Sequence, residues 1–115
     1  MKPTVEELKG LSASLPQESN GMLTEEQEKN LVRQIKEGNL DALTELLEGN
    51  IRFVVSVAKN YLNEGLEMHE LIGAGAEGLV QAAQSFDEAQ DVRFLAYAIW
   101  WIRHYIIKAV DNKNN

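Results

Sequence analysis

The stretch from Arg93 to Val110, RFLAYAIWWIRHYIIKAV, constrains the fold more than any other part of the chain. It contains neither Pro nor Gly over a helix-sized span, so it reads as one helix of roughly five turns. At about 100° per residue its side chains sort into two stripes. Leu95, Ala98, Ile102, Ile106 and Ala109 make an aliphatic stripe suited to a core. Arg93, Phe94, Tyr97, Trp100, Trp101, His104 and Lys108 make the opposite one, large rings interleaved with cationic or titratable groups. A helix packed on one side normally turns small and charged residues to water, so a second stripe of rings calls for a reason. Flat π faces beside cations suit unstacked bases and their phosphates, the requirements of a single-strand nucleic-acid surface. The alternative is burial of the whole helix, with both tryptophans in the core. Trp100 and Trp101 point about 100° apart, so one can pack while the other is presented.

The remainder of the chain is helical in pattern. Residues 1–22 hold both prolines, Pro3 and Pro16, with Gly10, Gly21 and scattered serines, and read as a flexible N-terminal arm. Within it Thr4 and Glu7 form a capping-box pattern for a short helix. Thr24 to Gln27 is a stronger capping box, with Leu23 as the staple residue, and opens a helix that turns Leu31 and Ile35 inward and stops at Gly38. Asn39 caps the next helix, carrying Leu40, Leu43, Leu46 and Leu47, which Gly49 breaks or bends. Asn50 to Leu62, NIRFVVSVAKNYL, places Ile51, Val54, Val55, Ala58, Tyr61 and Leu62 at helical spacing, a helix near the centre of the core. A further helix from about Glu67 to Ser85 turns Leu71, Ile72, Leu79, Ala82 and Phe86 inward, and a polar loop from Asp87 to Asp91 leads to the aromatic helix. No segment alternates with period two for long, so the fold class is all-α, with the helical domain spanning residues 23–115.

A net charge of −7 argues against tight independent binding to duplex DNA, because cations supply most of the affinity for phosphates. The charge is unevenly spread. Glu67 to Asp91 carries Glu67, Glu70, Glu77, Asp87, Glu88 and Asp91 and no Lys or Arg, whereas Arg93, Arg103, Lys108 and Lys113 face Asp111 alone in the last stretch. Two surfaces follow, one acidic and one mildly basic. The absence of cysteine excludes disulfides and thiolate metal sites. No apolar run approaches about 18 residues and Met1 opens no charged-then-apolar leader, so a cytoplasmic location is expected. Gly73-Ala74-Gly75-Ala76-Glu77-Gly78 matches GxGxxG, but a dinucleotide site needs a strand before it, and Met68 to Ile72 reads as helix. Close helix–helix approach accounts for the glycines instead. His69-Glu70 begins a zinc-protease motif that Gly73 fails to complete, and nothing argues for an enzyme.

With these elements placed, the sequence resembles the primary-type bacterial sigma factors of the sigma-70 family, from about Leu23 to Val110, across their regions 1.2 through 2.4. NIRFVVSVAKNY is similar to region 2.1, and the run from Leu71-Ile72 through Gly75, Gly78-Leu79 and Ala82 to Phe86 follows region 2.2. Phe94, Tyr97-Ala98 and Trp100-Trp101-Ile102-Arg103 carry the FxxYAxWWIR signature of the promoter-melting segment. The resemblance implies a helical domain of the sigma region 2 type. It further implies a transcription-initiation module that binds RNA polymerase core and the non-template strand of the minus-ten promoter element. Tyr97 would stack on a flipped adenine, with Phe94, Trp100 and Trp101 forming or supporting the wedge and pocket. Arg93, Arg103 and Lys108 would steady phosphates or brace the helix, with His104 in the same DNA-facing set. Glu67, Glu70 and Glu77 would face a basic coiled coil on the clamp of the polymerase beta-prime subunit. Implied partners are therefore core polymerase, single-stranded promoter DNA and a regulatory protein of the anti-sigma kind, with no membrane, metal or cofactor.

Departures from the family pattern set a second expectation. Gly73, Ala74 and Ala76 stand where the family carries polar clamp contacts, and Leu95, Ala96, His104 and Ile107 stand where polar residues help to read the element. Ala89-Gln90 and Asp91 replace a basic pair and a glycine. A degenerate, promoter-silent paralogue, acting as a protein-interaction module or a competitor for the clamp, fits those changes. No stretch resembles the domains that contact the extended minus-ten and minus-thirty-five elements.

Overall fold

The computed structural model describes residues 3–13, 23–89 and 92–115, and most of its helices begin where the sequence supplies an acceptor for unpaired N–H groups. Helix α1 (Val5–Ala13) follows Thr4, whose Oγ1 accepts from the Glu7 N–H at 3.2 Å while Glu7 Oε1 accepts from the Thr4 N–H at 3.2 Å. Helix α2 (Glu25–Lys36) repeats the reciprocal box between Thr24 and Gln27, at 3.1 and 2.8 Å. Gly38 ends it at φ +93°, a left-handed conformation that glycine adopts without a Cβ clash. Asn39 Oδ1 accepts from the Asp41 and Ala42 N–H groups and starts α3 (Leu40–Ala58). Glu67 and Glu70 box the start of α4 (Met68–Ser85). Arg93 precedes α5 (Phe94–Asn114) without a side-chain cap. No strand occurs among the described residues, in keeping with the all-α expectation.

The helix boundaries differ from the sequence expectation at Gly49 and in the N-terminal arm. The expected break at Gly49 is absent, because α3 runs through it and continues into a 3-10 turn at Lys59–Tyr61. Gly49 serves packing instead. A Cβ there would lie 2.7 Å from Cγ and Cδ1 of Leu23, so the missing side chain is the seat for the staple residue. In the expected arm, α1 is docked against α5 and its Leu8 is buried in the core. The rest of that arm, residues 1–2 and 14–22, and the loop tip at 90–91 lie outside the described residues.

Helix α5 is the central element, packed chiefly on α4 and also against α1, α2 and α3. Leu95, Ala98, Ile102 and Ile106 are fully buried there, and Leu46, Val54, Leu71, Leu79 and Phe86 close around them. Ile51 and Leu62, expected near the core, are instead exposed, because α3 turns Val54 and Ala58 inward. The helix-lined GxGxxG run explains the tight α4–α5 contact. A Cβ on Gly78 would stand 2.5 Å from the Trp101 carbonyl oxygen and 2.9 Å from Ile102 Cα, and one on Gly75 would stand 2.7 Å from Val54 Cγ1. Gly73 has no such role, since nothing lies within 4 Å of its Cβ position.

Helix α2 holds the connection between α4 and α5 in place. Arg33 Nε donates to both carboxylate oxygens of Glu88, at 3.1 and 2.9 Å, and Lys36 Nζ donates to the Phe86 carbonyl. Arg93 donates to Glu28 Oε1 from Nη2 at 3.2 Å and from Nε at 3.3 Å. Glu28 is 1% exposed, and that burial pushes its carboxyl up to about 7 against the opposing pull of Arg93.

Gly78→Ala should destabilise the domain by about 2–3 kcal/mol through overpacking against backbone. Gly73→Ala should stabilise it by about 0.5–1 kcal/mol, having only helix propensity to gain. Urea denaturation midpoints of the two variants should therefore move in opposite directions. For Glu28, the folded pKa of about 7 exceeds the ordinary value of 4.5. The folded state thus binds more protons than the unfolded chain between those pH values, and stability should fall as pH rises through that window. Glu28→Gln keeps an acceptor for Arg93 and should remove a slope worth on the order of 2–3 kcal/mol from denaturation curves collected between pH 5 and pH 8.

Candidate nucleic-acid interface

Because α5 has neighbours on nearly every side, the expected presentation of a full aromatic stripe does not occur. Phe94, Tyr97 and Trp100 are buried, at 1%, 3% and 4% exposure. Phe86 meets Phe94 edge-on at 5.3 Å and tilts against Tyr97 at 5.4 Å. The Tyr97 hydroxyl, which needs a polar partner when buried, lies 2.8 Å from Ser85 Oγ and donates to the Ser85 carbonyl at 3.3 Å. Helix α1 covers Trp100, whose indole N–H donates to Glu7 Oε2 at 3.0 Å. That donation, with further bonds from Thr4, holds the Glu7 carboxyl below the usual carboxylate range.

The accessible chemistry lies about one turn further along. Trp101 is half-buried, in edge contact with Trp100 at 5.1 Å and Tyr97 at 6.2 Å, and tilted against Tyr105 at 6.1 Å. Its indole Nε1 is sealed from water without an acceptor among the described residues, an arrangement that costs roughly 1–3 kcal/mol. His104 stacks on Trp100 with centroids 3.8 Å apart and planes 21° from parallel, its Nδ1 2.8 Å from the Trp100 carbonyl. Trp101, His104, Tyr105 and Lys108 line an open cleft of about 500 Å³, with Trp100 at its base. Tyr105 was not among the residues singled out from sequence. The available signal was its i+4 position from Trp101, which places it on the same helix face.

A second cleft of about 480 Å³ adjoins the first through the shared residues Tyr105, Lys108 and Asn112. Its α4 wall carries Glu70 and Glu77 above the bare Gly73 and Ala74. Glu67, Glu70 and Glu77 are all exposed, so the structure brings this acidic set to one surface. Glu70 is also engaged locally, accepting from the Glu67 N–H at 3.1 Å. Glu67, His69 and Glu70 have donor atoms within 4.8 Å of one another, all exposed at this helix start.

Among the cations, Arg93 is committed to Glu28, which makes it a brace for the start of α5. Arg103 and Lys108 are exposed, and neither forms an ion pair among the described residues. No described helix is long and apolar enough to cross a membrane.

The α1 contact predicts a fluorescence change. In a Trp101→Phe background, Glu7→Ala should raise acrylamide quenching of Trp100 and red-shift its emission toward that of a chain lacking residues 1–13. Unchanged quenching would show that Glu7 does not hold α1 over the indole.

Comparison with known proteins places this geometry in a family. Residues 46–115 match the Sigma-70 region 2 family. The chain is 44% identical over 85 residues to the RNA polymerase sigma-C factor of Myxococcus xanthus, covering 74% of this chain and 29% of that protein. It is 49% identical over 71 residues to the RNA polymerase sigma factor SigA4 of Synechococcus elongatus, covering 62% and 23%. Identity to the SigA sigma factor of Clostridium acetobutylicum is 40% over 92 residues, covering 80% and 24%. The chain thus spans less than a third of the length of these relatives. With the matched region extending over more than half of the chain and over the α4–α5 pair that builds both clefts, the protein belongs to the sigma-70 family through its region 2.

Proposed function

We propose that this domain is a transcription-initiation module of the sigma type. It binds RNA polymerase core through the acidic face of α4 and holds unstacked non-template bases of the minus-ten element on α5. The observation that carries this reading is the open cleft beside Trp101. Half-buried π faces of Trp101 and Tyr105 line it together with the exposed cation Lys108, which forms no ion pair among the described residues. Rings for stacking and cations for phosphates are what a single strand requires. Phe94 and Tyr97 support this surface from beneath, and Arg93 fixes the first turn of the helix. A base reaches the covered side of Trp100 only after the bond between its indole N–H and Glu7 of α1 opens. His104, stacked on Trp100, sits at the rim of the cleft.

Glu67, Glu70 and Glu77 supply the charge that a basic coiled coil of the polymerase clamp would meet, and a polymerase-bound module need not supply all of the DNA affinity itself. A second reading is a promoter-silent relative that occupies the clamp as a competitor. It is favoured by the sealing of Phe94, Tyr97 and Trp100 and by the bare floor at Gly73 and Ala74.

A fluorescent non-template minus-ten oligonucleotide, titrated with the chain in the presence of core polymerase, separates the two. Trp101→Ala should weaken oligonucleotide binding roughly 5- to 150-fold, the range expected for loss of one base-stacking ring. Lys108→Glu should weaken it and flatten its salt dependence. Polymerase binding that survives without any oligonucleotide capture selects the competitor. Failure to bind polymerase at all removes both readings.

A further inference from the structure

Asp111 is poorly placed for helix stability. It stands in the last turn of α5, where the negative end of the helix dipole disfavours a carboxylate. Its side chain is exposed and forms no ion pair among the described residues, although Lys108 lies three residues before it on the same side of the helix. Both charged groups nevertheless line the open cleft of about 500 Å³ that holds Trp101 and Tyr105, a volume in the range of small-ligand sites. Trp101, Tyr105 and Lys108 follow one stripe of α5 at i, i+4 and i+7, and Asp111 flanks that stripe about one turn further on. The rise from Tyr105 to Asp111 is about 9 Å, and side chains leave a helix tilted toward its N-terminus, so Asp111 starts out in the direction of Lys108 and the rings.

An unpaired base offers its Watson–Crick edge as well as its flat face. Stacking on a ring accepts every base, because each has a π face, so discrimination needs polar groups at the edge. An ionised carboxylate accepts and never donates. Guanine meets it with two adjacent donors, N1–H and the N2 amino group, in the parallel arrangement by which a planar fork engages both carboxylate oxygens. The neighbouring O6 is an acceptor suited to the Lys108 ammonium, whose three N–H groups leave donors over for a phosphate. Adenine and cytosine each present one amino group beside an unprotonated ring nitrogen, so the carboxylate gains one bond and faces a lone pair. Thymine presents a single N3–H between two carbonyl oxygens, both of which repel it. Asn112, which also lines the cleft, carries both a donor and an acceptor and so favours no base.

From this arrangement we infer that Asp111 is a specificity-determining residue of the α5 cleft and that the unpaired base it selects is guanine, with Asp111 on N1–H and the N2 amino group and Lys108 on O6. The assignment rests on the nucleic-acid reading of this cleft and adds to it the chemistry of the base. The element that this chain reads then carries an unpaired guanine. A carboxylate beside phosphates lowers affinity for strands that lack one.

The test is fluorescence anisotropy of labelled thymine strands of about 12 nucleotides, titrated with the 115-residue chain in the presence of core polymerase. The all-thymine strand is compared with the same strand carrying a central guanine, adenine or cytosine. The guanine strand should bind at least about fivefold more tightly than the others, the lower bound for a bidentate edge contact. Hypoxanthine, which lacks only the N2 amino group, should fall between guanine and thymine. Asp111→Asn should abolish the advantage of guanine and raise affinity for the all-thymine strand, a rise that loss of fold would not produce. Comparing the variant with the parent chain removes any base preference of the polymerase itself. Equal binding of all strands by the parent chain, or a guanine preference that survives Asp111→Asn, overturns the assignment and leaves the nucleic-acid reading standing. Binding of no strand at all removes both.

Discussion

Everything in this domain depends on how closely α4 approaches α5 at Gly78. Backbone there meets backbone, with no room for a Cβ between the glycine and the Trp101–Ile102 peptide. Short separation brings Leu79 and Ala82 into the fully buried core with Ile102 and carries the end of α4 over the first turns of α5. Phe86 and Ser85 thereby become the cover for Phe94 and Tyr97. Both clefts are consequences of the same crossing. One opens where α4 presents Gly73 and Ala74 beside α5, and the other where α5 passes beyond its neighbours.

The aromatic row illustrates how polar tips limit which rings can be buried. Tyr97 is sealed because Ser85 satisfies its hydroxyl, and Trp100 because Glu7 accepts its N–H. The Trp101 N–H is also buried, but without an acceptor among the described residues, so this indole offers its ring and not its polar tip to the open cleft. Cations divide in the same way. Arg93, compensated by a buried carboxylate, is a structural ion, and Arg103 and Lys108 remain available. The accessible rings and cations accordingly lie toward the end of the aromatic motif, not at its start. Helix α1 docks on this row through the buried Leu8 and the bond between Glu7 and Trp100.

The domain presents two chemically different faces, an acidic wall on α4 and a ring-and-cation cleft on α5, held by one core. Ion pairs and a hydrogen bond from α2 to the α4–α5 connection fix the two relative to each other, because Glu28, Arg33 and Lys36 all reach that connection from a single helix. Burial of Glu28 makes that link sensitive to protonation near neutral pH.

Sequence alone determined the helix class, the helix starts at Thr4, Thr24 and Asn39, and the family motif, because caps and periodicity are local and need no knowledge of neighbours. It also read Gly73, Gly75 and Gly78 as packing residues once a strand before them was excluded, which holds for Gly75 and Gly78 but not for Gly73. Periodicity placed Tyr97, Trp100 and Trp101 near one another, but could not say how many elements would pack around that face. That was decided by contacts from far along the chain: Glu7 lies 93 positions from Trp100, and Glu28 lies 65 from Arg93. The same limit explains Gly49, which looked like a breaker until Leu23 arrived to fill its place, and Ile51, whose helical spacing was correct but whose side faces water. A sequence specifies which residues share a face, and only the assembled neighbours specify whether that face is covered.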